Sequence, residues 1–145
     1  LLYRRIKKIK NQNKMDRPNS ALKVPYKNLM GFFTLWLKFL RPFHTLSDRE
    51  LEVAACMLKN RYELSKKISD EKILNDVLFS KENKDKMMKE LHITNQYYQV
   101  ILGKLRKVKF IKDNKIYSRF IPEYEEGKMF TLLLVFDEEK IKDEL

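Results

Sequence analysis

Hydrophobic positions along this chain change period several times, and each change marks an element. Residues 29–43, LMGFFTLWLKFLRPF, are the most apolar stretch. Phe32, Phe33, Leu35, Trp36, Leu37, Phe39 and Leu40 cover more than one face, which predicts a helix wrapped by other elements or shared with a second subunit. Arg41-Pro42 is expected to end it. Ser47-Asp48-Arg49-Glu50 has the form of a capping box, in which the serine hydroxyl takes an amide of the first turn and the glutamate reaches back. The helix it opens runs to about Tyr62 or Leu64 and buries Leu51, Ala54, Ala55, Leu58 and Tyr62. Residues 65–69 read as a polar connection. Asp70 starts a further helix with Ile73, Leu74, Val77 and Leu78 inward.

Ser80 leads into the segment whose patterning is clearest. Met87, Met88 and Leu91 share one helical face, and His92-Ile93-Thr94 breaks the period. Thr94 is a cap for the next helix, because its hydroxyl can accept an amide of the first turn. Tyr98, Ile101, Leu102 and Leu105 then fall at i, i+3, i+4, i+7, a single stripe. The period switches to two around Asp113-Asn114, with Phe110-Ile111-Lys112 before it and Ile116-Tyr117-Ser118 after it, as in a hairpin. Beyond Glu125-Glu126-Gly127-Lys128, read as a turn, residues 129–136 (MFTLLLVF) predict a strand covered on both faces. That strand would enlarge the hairpin into a sheet of about three strands. The expected fold is therefore mostly α with a small β-sheet. Its domains are a basic flexible arm (1–28), an apolar helix (29–43), a core domain (46–136) and a polar tail (137–145). Met15 offers a start site, in which case residues 1–14 precede the native protein.

Charge sharpens this picture. The formal net charge is +11 and the isoelectric point about 9.6, which favours an anionic partner. The excess is uneven: residues 1–30 hold nine Lys/Arg against one Asp, so most of it belongs to the arm. Cys56, the single cysteine, excludes an internal disulfide and fits a reducing compartment. Its apolar helical setting makes it a core thiol. The apolar stretch is too short for a membrane span, so no integral membrane association is expected. Neither His44 nor His92 has a cysteine or carboxylate at ligand spacing, and the three glycines are isolated. Metal, cofactor and catalytic constellations are therefore not expected.

The segment KDKMMKELHITNQYYQVILGKLRKVKFI resembles the winged helix-turn-helix pattern of bacterial and phage regulators. It has their helix, a turn ending in Ile and Ser/Thr, a second helix, a basic stretch and a β wing. Residues 46–53 are similar to the opening helix of LuxR-type and sigma-factor-type domains, although the wider spacing to the next motif suits a generic winged module better. His92 stands where that turn usually has glycine, and histidine tolerates positive φ better than most residues. The resemblance implies a winged helix-turn-helix with an N-terminal hydrophobic helix that binds double-stranded DNA, as a transcription regulator in the cytoplasm of a bacterial or phage-infected cell. Asn95, Gln96, Tyr97 and Gln99 would then contact base edges, since amide side chains suit adenine N6 and N7. Lys104, Lys107, Lys109, Lys112 and Lys115 would hold the backbone. A homodimer through Phe32, Phe33, Trp36, Phe39 and Leu40 would place two such helices on half-sites one turn apart. From a different class comes a second reading, a non-enzymatic interaction or virion-assembly protein that uses the same fold to dock partners.

Overall fold

The computed structural model describes residues 21–138. Five side chains set helix starts, the first being Asn28, whose Oδ1 accepts from Gly31 N (2.8 Å). Ser47 Oγ accepts from Glu50 N (3.4 Å) while Ser47 N donates to Glu50 Oε1 (3.0 Å), the reciprocal pair expected of a capping box. Asp70 accepts from Ile73 N (3.0 Å), Ser80 from Asn83 N (3.3 Å) and Thr94 from Tyr97 N (3.1 Å). Each bond satisfies a first-turn amide that has no partner inside its own helix.

The elements run α1 (Leu29–Phe39), α2 (Arg41–His44), α3 (Asp48–Ser65), α4 (Glu71–Leu78), α5 (Lys81–Leu91), α6 (Asn95–Lys107), β1 (Ile111–Lys112) and β2 (Lys115–Ile116). A turn of 3-10 helix follows at Ser118–Phe120. The protein is mostly α with a small two-stranded antiparallel sheet, and among the described residues no helix is long and apolar enough to cross a membrane. The chain divides into two units, one of them Pro25–Glu123, which holds all of these elements. In the other, residues 124–138 contain a turn at Gly127 (φ +82°) but no strand. The strand expected over 129–136 does not form, and Met129 and Phe136 are 84% and 95% exposed. A lone β-prone segment has no second strand for its backbone groups, and propensity does not replace one. Most of the arm and tail expected at 1–28 and 137–145 lies outside the described residues.

Within Pro25–Glu123, α3 is the centre. Leu51, Val53, Ala54, Ala55, Cys56, Met57, Leu58 and Asn60 are all buried, so α3 is covered nearly all round by α1, α4, α5 and α6. Burial pushes the Cys56 thiol up to about 12, helped by the nearby Glu90 carboxylate, which makes it an inert core group. Phe32 and Phe33 are buried, with the Phe33 ring 6.1 Å from that of Tyr62 in α3. Those two residues are part of the protomer's own core; of the other three residues of the expected dimer face, Trp36 and Leu40 are half-buried and Phe39 is exposed. Helix α1 ends with Leu40 as its C-cap, immediately before Arg41-Pro42, and Pro42 sits in the first turn of the separate short helix α2, where its missing N–H costs nothing. Ile73, expected inward, is 53% exposed, because α4 buries only Leu74 and Leu78 fully.

His44 locks the α2–α3 corner. Its Nε2 donates to the Leu37 carbonyl (2.6 Å) and its Nδ1 accepts from Leu46 N (2.9 Å), a pair that only the neutral ring can make. Desolvation holds its pKa below the ordinary 6.5, against a smaller upward pull from the Leu37 carbonyl and with a downward one from Arg41. Below pH about 6.5 the unfolded chain therefore binds a proton that the folded one refuses. The stability from this group is complete above that pH and declines as pH falls below it, until the folded pKa is passed. Urea denaturation from about pH 7.5 down to 5.5 should show a decline of up to about 1.4 kcal/mol per pH unit in the wild type. His44→Gln should flatten it; an equal decline in both proteins would contradict this role.

His92 ends α5 in the left-handed region (φ 54°, ψ 46°), with its side chain exposed. A side chain there costs about 1 kcal/mol that glycine avoids. His92→Gly should raise the melting temperature by a few degrees, whereas His92→Ala should not; a lower value for His92→Gly would contradict the strain.

Candidate nucleic-acid interface

Helix α6 lies with Tyr98, Ile101, Leu102 and Leu105 in the core, the stripe read from the sequence. The opposite side faces outward. Asn95, Gln96, Tyr97 and Gln99 are all exposed, and the amide side chains of Asn95, Gln96 and Gln99 bond to nothing among the described residues. Tyr97 is the least free of the four: the Arg49 guanidinium lies 5.9 Å from its ring centroid and also bonds Glu52 (3.1 Å). Lys104 is likewise engaged, its Nζ 3.1 Å from Glu50 Oε2. Glu50 is itself held below the usual carboxylate range, first by the Ser47 amide and further by Lys104. Both Tyr97 and Lys104 thus lean on the first turn of α3, which leaves Lys104 less available to an outside anion than the sequence suggested.

Beyond α6 the chain turns through Lys109 (φ 62°) into the hairpin. Asp113 and Asn114 both have positive φ (53° and 57°), as a two-residue hairpin turn with the twist of its strands requires. The register pairs Ile111 with Ile116 and Lys112 with Lys115. Ile111 and Ile116 are buried, so the two lysines stand on the exposed face directly opposite each other. Like charges in that relation repel, and neither lysine has an acidic partner among the described residues. The hairpin is held by its aromatic ends. The Phe110 and Phe120 rings are 5.3 Å apart, and Trp36 Nε1 donates to the Phe120 carbonyl (2.8 Å). Arg119 lies 5.3 Å from the Phe120 ring centroid and 5.7 Å from that of Tyr117.

The charge distribution within this unit is uneven. From residue 25 to 94 it holds thirteen Lys/Arg and ten Asp/Glu, whereas residues 95–119 hold seven and one. Lys107 and Lys109 are exposed and make no ion pair among the described residues. Arg106 is also exposed, two turns past Gln99 on the side of Asn95 and Gln99; the i, i+4, i+11 spacing of the three is the signal for it in the sequence. Val100, 58% exposed between Gln96 and Gly103, is a further outward residue that residue type alone did not single out. Among the described residues no three His, Cys, Asp or Glu side chains gather as metal ligands. No protein-family model, curated protein or solved structure matches this chain.

Proposed function

We propose that this protein binds double-stranded DNA, with α6 entering the major groove and the β1–β2 hairpin lying along the backbone, in the manner of a winged helix-turn-helix regulator. One observation carries the reading. The uncovered amide flank of α6 and the opposed, acid-free lysines of the hairpin belong to a single stretch, residues 95–119, that supplies most of the net positive charge of its unit. Amide side chains offer paired donor and acceptor groups for adenine edges, and lysines without protein partners are free to neutralise phosphates. A pair of like charges held face to face costs the folded protein something that an anion between them would recover.

Asn95, Gln96 and Gln99 are the base-reading residues in this account, with Tyr97 placed beside them by Arg49. Lys107, Lys109, Lys112, Lys115 and Arg106 are the backbone contacts, and Lys104 serves chiefly to pin α6 to α3. The reading places the protein with DNA, in the cytoplasm of a bacterial or phage-infected cell, in transcription regulation or a related DNA transaction.

Selection from a random duplex pool supplies a preferred sequence, and binding to it at two salt concentrations tests the assignment. Gln96→Ala should cost about 1–3 kcal/mol on that sequence and relax preference at one base pair. Lys112→Ala should weaken binding to all sequences alike and lower the salt slope by about 0.9. A protein that shows no salt-dependent duplex binding, or whose binding ignores both substitutions, is not a DNA reader of this kind. Docking of a protein partner then becomes the better account of the same surface.

A further inference from the structure

Gln96, Val100, Gly103 and Lys107 fall at i, i+4, i+7, i+11 of α6, so they form its outermost line. All four are exposed, and this line runs between the flank of Asn95, Gln99 and Arg106 and the side where Tyr97 and Lys104 meet α3. Two of its members are poor choices for a helix face that only meets water. Val100 leaves most of a β-branched apolar side chain in solvent. Gly103 weakens a helix interior relative to alanine, yet a Cβ there would meet nothing within 4 Å in this protein. Internal packing therefore does not ask for glycine at 103. An outside surface that approaches the helix closely would.

We infer that Val100 and Gly103 form the line of closest approach of α6 to the major groove, and that Val100 reads the C5-methyl group of a thymine. This rests on the DNA-binding reading above and specifies what the site selects. Charge complementarity favours duplex DNA as the occupant: α6 carries no acidic residue, its outward line is uncharged until Lys107, and the free cations Arg106, Lys107, Lys109, Lys112 and Lys115 follow. The thymine methyl is the one apolar feature of the major-groove edge, and an exposed apolar side chain is its natural contact. Val100 lies one turn after Gln96, roughly 6 Å along the axis. An adenine read by Gln96 and a thymine read by Val100 are therefore within about two base pairs of one another, given roughly 3.4 Å per step along each strand. The preferred site contains a short A·T-rich step.

The test replaces each thymine of the selected duplex, one at a time, with deoxyuridine, which lacks only the methyl group. Wild-type protein should lose about fourfold in affinity at one position, the worth of one buried methyl. Val100→Ser, which removes the apolar contact, should bind the thymine and uracil duplexes equally there. Gly103→Ala should raise the melting temperature while weakening duplex binding. Wild-type affinity that ignores the replacement at every position would overturn the methyl contact while leaving DNA binding intact. Unchanged affinity in Gly103→Ala would overturn the close approach. Failure to select or bind any duplex would instead remove the reading beneath both.

Discussion

The structure of Pro25–Glu123 depends on one constraint: α3 is apolar or small on nearly every side, so it must be surrounded. Val53, Ala54, Ala55, Cys56, Met57 and Leu58 in succession leave no face for water, and the small alanines let neighbouring helices come close. Each large member, once covered, contributes about 1.5–3 kcal/mol of burial. Helices α1, α4, α5 and α6 supply the cover. Polar ties then fix their positions: Lys59 of α3 holds Glu90 of α5 at 3.0 Å, and Glu50 of α3 holds Lys104 of α6 at 3.1 Å.

The orientation of α6 follows. Its apolar stripe is spent on the core, its Tyr97–Lys104 side leans on the first turn of α3, and the remaining surface can only point outward. The same packing sorts the charges. Glu50, Glu52, Glu63, Glu71 and Glu90 lie on α3, α4 and α5 and pair with basic residues there or, for Glu50, with Lys104. The cations of the hairpin and of the end of α6 have almost no acidic residue nearby in the chain. The net positive charge of the unit thus gathers at one end.

Much of the architecture was legible because its determinants are local. Ser47, Asp70, Ser80 and Thr94 start helices by bonding amides three residues on, and Asp113-Asn114 turns the chain through its own backbone preference. The inward stripe of α6 follows from spacing alone. The features that spacing missed share a different cause, since most turn on a partner distant in sequence. Residues 129–136 have strand composition, but pairing needs a second strand, which composition does not reveal. The aromatic face of α1 reads equally well as a dimer face, and only the packing of α3 against it assigns Phe32 and Phe33 to the core. Lys104 looks like any other cation of a basic run, and Glu50, far upstream, decides its role. Val100 is the exception: its residue type says core, whereas its place on the helix says surface.

The central claim is that the outward line of α6 and the lysine face of the hairpin meet one and the same duplex. Mapping backbone amide chemical shifts across Pro25–Glu123 while titrating the selected DNA tests this most directly. The account predicts that shifts concentrate at Asn95, Gln96, Gln99, Val100, Gly103 and Lys107 together with Lys112 and Lys115, while α1 and α4 stay still. Shifts confined to α1 and α4, or to the hairpin with α6 unmoved, would contradict it.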